Sequence, residues 1–296
     1  MRKRLLRYLG IFCASTAMLV SLSSCSGNVA NSVKKDATLT KGADIRIMSY
    51  NVLAELWNDQ LPIEGRDVIV GDAINILSPD VIGLQELSEN WYKELTPLIE
   101  SSYVFVNQTI STGESNFTGL AYNREKVKLI RDSCESFYHG ESNLRLMNWG
   151  LFEKLDSGKR FIVLSTHWSP FSDEAAKEYR MAQASEMALK IKDLYVQYNC
   201  PVIAVGDFNC GKKDDEYKMY KNLFPIKDAQ TDADVRKNAL FYTGHLMGII
   251  PPPYDNSIDH ITYTHGVHAL YYKNFISAPF LKASDHSPIL CDFSFE

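Results

Sequence analysis

Residues 201–210 read PVIAVGDFNC. The apolar run Pro201–Val205 has the length and composition of a buried strand, and it ends in Gly206-Asp207-Phe208-Asn209. Asp and Asn both start turns by bonding their own backbone, so this tetrapeptide alone requires nothing more than a loop. Its weight depends on whether polar residues close other strands in the same way. Working outward, the segment before it, Asp173–Tyr198, is a clear helix, with Ala176, Met181, Ala184, Met187, Ile191 and Leu194 recurring every three to five residues. Asn148–Phe152 and Arg160–Thr166 read as a hairpin around Asp156-Ser157-Gly158.

Toward the N-terminus, Ile45–Tyr50 and Val81–Leu84 read as strands, with the helix Val68–Leu77 between them ended by Pro79. Leu95–Ile99 closes a further helix before the strand Tyr103–Val106. Asn116–Asn123 and Lys126–Ile130 are expected to pair across a short turn. Toward the C-terminus come the shorter strands Ile258–Tyr263, Ala269–Phe275 and Pro288–Phe293, with Pro251-Pro252-Pro253 as a stiff loop. Strands outnumber helices and the helices fall between them. This predicts one α/β domain over residues 44–296 with mixed sheets.

The first residues are unlike the rest. Met1–Arg7 is basic, Tyr8–Ser21 is apolar or small, and Leu22-Ser23-Ser24-Cys25 precedes a polar tract. That order is a secretory signal over residues 1–24, and the cysteine at the cut resembles a bacterial lipoprotein signal with Cys25 lipidated. The apolar run is shorter than the ~20 residues of a spanning helix. Residues 25–43 then read as a flexible tether, and the product as an exported protein held to a bacterial membrane by its N-terminal lipid, expected as a monomer. Loss of residues 1–24 removes Arg2, Lys3, Arg4 and Arg7 and takes the formal charge from −5 to about −9. An acidic domain is poorly suited to a sequence-blind grip on duplex DNA. Cys134, Cys200, Cys210 and Cys291 form no CxxC pair, which argues against a zinc cluster.

Polar residues do close the other strands. Asn51 follows the first, Gln85-Glu86 the second, Thr166-His167 the hairpin strand, and Asp207 and Asn209 the apolar run. Asp259-His260 lie in a later strand and Asp285-His286 precede the last. Each has an ordinary account: Glu86 could cap the next helix and His167 could be a satisfied core residue. Six such placements point to a ligand site at strand ends. Asn51 and Glu86 offer hard oxygen donors suited to Mg²⁺ or Mn²⁺ rather than zinc. Asp207 and Asn209, two apart on extended backbone, should point the same way. Asp259 and Asp285-His286 suggest a histidine oriented by an acid. With no Gly-rich phosphate loop and no serine elbow, the chemistry indicated is metal-assisted attack of water on a phosphoester.

These motifs, SYN 49–51, QE 85–86, TH 166–167, GDFN 206–209, IDH 258–260 and SDHSP 284–288, together resemble the endonuclease/exonuclease/phosphatase superfamily across about residues 44–295. The resemblance implies a four-layer α/β sandwich, two mixed sheets face to face with helices outside. It implies Glu86 as principal metal ligand with Asn51 and Asp285 on the metal side. Asp207 would orient or deprotonate water, and Asn209 would hold phosphate. His167 and His286 would contact phosphate oxygens, with Asp259 orienting His286. Arg145, Trp149, Arg180 and Gln183 match a broad family habit and, with Trp168, are expected beside the substrate or behind the residues that touch it. The expected substrate is a small phosphodiester or phosphomonoester. An extracellular endonuclease on nucleic acid and a sphingomyelinase-like enzyme on phospholipid are the alternatives. A lipoprotein that binds a phosphorylated ligand without turnover is the rival of a different class.

Overall fold

Alternation in the strands dictates the layering seen in the computed structural model, which describes residues 25–57, 61–108, 117–138 and 145–296. In β1 (Ile45–Asn51), Ile45 and Ile47 face one apolar cluster while Met48 and Tyr50 face another. In β7 (Arg160–His167), Phe161 and Val163 face the same inner cluster as Ile45, whereas Ile162 and Leu164 face a third. Strands apolar on both faces must be covered on both faces. The result is two sheets face to face, with helices on the outside of each.

The remaining strands are β2 (Val81–Gln85), β3 (Tyr103–Val106), β4 (Thr118–Asn123), β5 (Val127–Ser136), β6 (Leu146–Lys154), β8 (Val202–Asp207), β9 (Lys227–Asp228), β10 (Val235–Lys237), β11 (Asp259–Tyr263), β12 (Val267–Asn274) and β13 (Ile289–Phe295). One sheet runs β10-β12-β13-β1-β2-β4-β3 and the other β5-β6-β7-β8-β11-β9. Both are mixed: β1–β2 and β7–β8 are parallel, while β1–β13 and β8–β11 are antiparallel. The expected four-layer α/β sandwich is the observed fold. At Gly83 the sheets approach so closely that a Cβ would lie 2.5 Å from Val205 Cγ2.

The helices are α1 (Cys25–Val33), α2 (Arg66–Leu77), α3 (Glu89–Ile99), α4 (Glu174–Tyr198), α5 (Asp215–Leu223), α6 (Ala229–Asp232) and α7 (Ala278–Ala283). Asp173 caps α4 by accepting from Ala176 N (3.0 Å), and Asn199 ends it in the left-handed conformation at φ +48°. Ser88, not Glu86, caps α3 through Trp91 N (3.1 Å). That leaves Glu86 for other work.

Two expectations fail here. The segments 116–123 and 126–130 do not pair: β4 joins β2 and β3 in one sheet, and β5 joins β6 in the other. Their short connection is a crossing between layers, because Leu120 and Val127 both point into the space between the sheets. The second failure is the tether over 25–43. Cys25–Val33 is helical, and Val29 and Val33 are fully buried in the cluster formed with α2, α3 and α7. The valines, four apart, make one apolar stripe within a polar sequence. Asp36 then accepts from Tyr271 Oη (2.7 Å) and Lys273 Nζ (2.5 Å). The signal segment 1–24 lies outside the described residues. Cys200, Cys210 and Cys291 are buried free thiols.

Candidate active site

Register brings the strand ends together. Parallel pairing sets Asn51 beside Gln85, so that Glu86 follows at the same edge. In the facing sheet, His167 pairs with Asp207 and Asp207 with Asp259. His286 enters from the segment before β13. Its N–H donates to Ser284 Oγ (3.1 Å), and that hydroxyl donates to Asn51 O (2.7 Å). The two sheets thus meet at one group of side chains.

The Gly206–Asn209 stretch does two jobs. Gly206 has φ +153°, and a Cβ there would lie 2.1 Å from Thr166 O, so only glycine fits between the paired strands. Asp207 Oδ1 accepts Asn209 N (2.9 Å), the turn that Asp is known for. Asn209 is left-handed at φ +50°, so the extended backbone expected to align it with Asp207 stops at Asp207. Its Nδ2 donates instead to Trp168 O (3.0 Å). The other oxygen, Asp207 Oδ2, faces the site. It lies 3.1 Å from Asn51 Nδ2, 3.5 Å from His167 Nε2 and 3.6 Å from His286 Nε2. One carboxylate therefore makes the turn with one oxygen and the centre of the site with the other.

His286 Nδ1 is 2.8 Å from Asp259 Oδ2, which fixes the ring so that Nε2 faces the cleft. Burial alone would lower the His286 pKa, but the charges of Asp259 and Asp207 outweigh it and hold the imidazolium form well above the ordinary histidine range. His167 goes the other way: burial, then the charges of Arg145 and His286, lower it, and it stays neutral. Burial pushes Asp207 up to about 7, against the pull of His286. A raised acid, a charged imidazole and a neutral imidazole within a few ångströms are an acid–base set poised near neutrality.

Glu86 closes the other side. It takes a left-handed backbone at φ +59°, and such strain in a bulky residue persists where the surroundings hold it. Its carboxylate accepts Asn51 Nδ2 (3.2 Å) and Ala54 N (2.9 Å). Asp285 is half-buried, and its charge, like that of Glu86, acts on the Arg66 guanidinium. The donor set suits a hard divalent cation: carboxylates of Glu86, Asp285, Asp207 and Asp259, the Asn51 amide and imidazole, with no thiolate among them. Asp207, Asp259 and His286 offer ligand atoms within 4.8 Å of one another, and Asp259 Oδ1 is buried with no hydrogen-bond partner.

The residues expected around this centre divide. Arg145 is near enough for its charge to lower His167. Trp149 is not at the site: it is buried against α4, with Nε1 donating to Glu135 Oε1 (3.3 Å) and Lys190 Nζ 5.7 Å from its ring centroid. On β6 the neighbouring Asn148 points to the opposite face, donating to Val106 O (3.1 Å) and Thr118 O (3.0 Å) of the facing sheet, and Trp149 faces the helix. Trp168 is fully buried; it stacks on Phe208 at 4.5 Å and 17°, bracing the turn from beneath. Arg180 and Gln183 also sit behind the site. Arg180 pairs with Glu216 (3.1 Å) and donates to Phe171 O (2.6 Å), and Gln183 Oε1 accepts Ser169 N (3.0 Å). Both tie down the loop that leaves His167.

Sequence reasoning missed Ser284 as a link, Thr243, whose Oγ1 accepts Asp259 N (3.2 Å), and Arg66, which donates to Val52 O, Leu53 O and Ala283 O. Ser284 stood inside the quoted SDHSP. Thr243 and Arg66 had no local signal, because their partners are distant backbone atoms.

A model of the Endonuclease/Exonuclease/phosphatase family matches residues 48–286. Comparison with curated proteins returns no match. Among solved structures, an endonuclease/exonuclease/phosphatase from Bacteroides vulgatus aligns at TM-score 0.72 and 24% identity, covering 85% of this chain and 99% of that one. A mannosyl-6-phosphatase from Bacteroides thetaiotaomicron gives TM-score 0.69 and 19% identity over 85% and 100%. The human Nocturnin catalytic domain, with bound sulfate, gives 0.68 and 22% over 88% and 97%. At these identities the structural matches carry the fold.

Proposed function

The chain belongs to the endonuclease/exonuclease/phosphatase family, and on that premise we propose that it hydrolyses small phosphodiesters or phosphomonoesters with a divalent metal, Mg²⁺ or Mn²⁺. Members of this family are phosphoester hydrolases that generally depend on a divalent cation. The observation that carries the reading is the meeting of Asn51, His167 and His286 on Asp207 Oδ2, within 3.1–3.6 Å.

A substrate phosphoryl group would enter between these side chains. Deprotonated Asp207 orients a water in line with the bond to be broken and takes its proton as the oxygen–phosphorus bond forms. The leaving alkoxide departs on the opposite side. His286, charged and aimed by Asp259, donates through Nε2 to a non-bridging oxygen, and neutral His167 presents Nε2 to the same group. Asn209, anchored through one amide hydrogen on Trp168 O, offers the second to the phosphate. These fixed donors stabilise charge that grows in the transition state, where one such donor typically contributes a few kcal/mol. Glu86, Asn51 and Asp285 would hold the cation, which when bound supplies further charge withdrawal from the phosphate.

The N-terminal pattern supports an exported protein, cut before Cys25 and lipid-anchored there; no helix among the described residues is long and apolar enough to cross a membrane. The test of function is hydrolysis of bis(p-nitrophenyl) phosphate and p-nitrophenyl phosphate by purified protein, with and without Mg²⁺ or Mn²⁺. Turnover that requires the cation supports the proposal. Binding of the esters with no release of nitrophenolate would make the protein a phospholigand-binding lipoprotein instead.

A further inference from the structure

Aliphatic side chains stand exposed on the loops around this site. Between β10 and β11, residues 238–254 contain no Asp, Glu, Lys or Arg. At the tip of this loop Leu246, Ile249 and Ile250 are 73%, 56% and 61% exposed. Phe171, beyond β7, and Leu56, beyond β1, add exposed apolar surface on two other loops that leave the same strand ends. Single exposed aliphatics need no explanation, but grouped ones at the mouth of a site do.

The loop is braced. Ile249 N donates to Leu246 O (3.0 Å) and Gly248 N to Leu281 O on α7 (2.5 Å). Its arms are pinned by bridges between Phe241 and Pro253 and between Gly244 and His286, and Pro251–Pro253 stiffen the return. These backbone contacts therefore hold the side chains outward, with one end of the loop paired to His286.

The helix that receives this tip also receives the chain's N-terminal helix. Phe280 and Ala283 of α7 share a buried cluster with Val29 and Val33 of α1. Beyond the C-terminal end of α1, Asp36 O and Leu77 O both accept from Arg46 Nη1, at the end of the domain opposite the site. Because α1 packs on α7, its N-terminal end lies within about a helix length of α7, the helix that also receives the tip. The helix has nine residues, a length of about 13 Å. No free tether separates residue 25 from the domain.

We propose that residues 246–250 are a membrane-docking tip, and that the lipid surface holding the chain's own N-terminus is what covers them. This rests on the lipid-anchor reading above. An anchor at the start of a docked helix keeps the α7 side within a helix length of the bilayer, so the tip reaches it without a search. The mature chain's charge of about −9 gives no general attraction to anionic lipid, so docking proceeds by apolar contact and works on zwitterionic membranes. With the tip inserted, the mouth faces the headgroups, and phosphoesters presented at that surface are preferred to dissolved ones.

The test uses the full chain as isolated, reconstituted in phosphatidylcholine vesicles with brominated acyl chains. An Ile249→Trp variant should lose indole emission that the wild type keeps, because bromine quenches only on contact. A Leu246→Ser/Ile249→Ser/Ile250→Ser variant should hydrolyse a vesicle-borne phosphoester about 10-fold more slowly, given the apolar area removed, with unchanged turnover of bis(p-nitrophenyl) phosphate. Unquenched Ile249→Trp, or vesicle activity equal to wild type in the triple variant, overturns the proposal. So does a dimer of the wild type that the triple variant disperses, since the tip would then bind a second copy. Absence of soluble turnover in the wild type would sink the hydrolase reading alone, and the quenching arm would still decide docking.

Discussion

Replacing Asp207 by Asn separates a turn residue from a catalytic one with almost no change of volume. The turn should survive, because an amide oxygen can accept Asn209 N as Oδ1 does at 2.9 Å. At the other position an NH₂ group would replace Oδ2, facing Asn51 Nδ2 at 3.1 Å and two imidazole nitrogens at 3.5 and 3.6 Å. The variant loses its proton acceptor and sets donor against donor. At an effective dielectric of ~20, a unit charge 3.6 Å from the His286 imidazolium is worth about 4–5 kcal/mol. Loss of a general base costs about 10²- to 10⁴-fold in kcat, equivalent to about 2.7–5.5 kcal/mol, so the two scales agree. Folding should lose only about 1 kcal/mol, or roughly 2–4 °C for a domain of this size. The assay is kcat on bis(p-nitrophenyl) phosphate with the melting temperature of the same preparation. A folded Asp207→Asn protein with wild-type kcat would mean that Asp207 is a turn residue only.

The two histidines should each be nearly as costly: His286→Ala and His167→Ala are expected to lose at least ~10² in kcat. Asp259→Asn should lose less, and its pH profile carries the signature. In the proposed mechanism His286 acts protonated, so activity should fall as pH rises through its raised pKa; removing the Asp259 charge should lower that pKa and move the alkaline limb to lower pH. EDTA should abolish turnover and Mg²⁺ or Mn²⁺ restore it, while Glu86→Ala should raise the metal concentration needed for half-maximal rate with little change in melting temperature. Behind the site, burial would raise Asp228, but the charge of His260, whose Nδ1 lies 3.6 Å away, and the hydrogen bond from Tyr217 Oη lower it. Its stabilisation is complete above about pH 4 and is lost as pH falls through the depressed folded value. The stability gap between wild type and Asp228→Asn should therefore be present at pH 7 and shrink below about pH 4 in acid melts.

What the sequence made legible was governed by local rules. The alternation of Ile45–Tyr50, the heptad-like apolar spacing of α4 and the turn signal at Asp156-Ser157-Gly158 reported elements and their faces directly. Which strand joins which sheet is not local: Asn123–Lys126 looks like a hairpin turn, yet the chain crosses between layers there. Likewise α1 is too short and polar to stand alone, and its two valines matter only because α2 and α7 offer them a surface. At the site, Asp207, Asp259 and His286 could be read because polar residues recur at the ends of six strand-like segments, although each alone has an ordinary account. Trp149, Trp168, Arg180 and Gln183 could not be placed by type. A buried Arg that holds a loop and one that holds a phosphate carry the same letter, and only the partners Glu216 and Phe171 O tell them apart.

The most direct measurement is hydrolysis of a simple phosphodiester in ¹⁸O-labelled water, with the monoester product analysed by mass. The proposed mechanism directs water onto phosphorus, and it predicts one ¹⁸O in the phosphate of each product molecule and none in the released alcohol. Label in the alcohol would place the attack on carbon and contradict the roles given to Asp207 and the two histidines. No labelled product of either kind, from folded protein supplied with Mg²⁺ or Mn²⁺, would contradict hydrolysis itself.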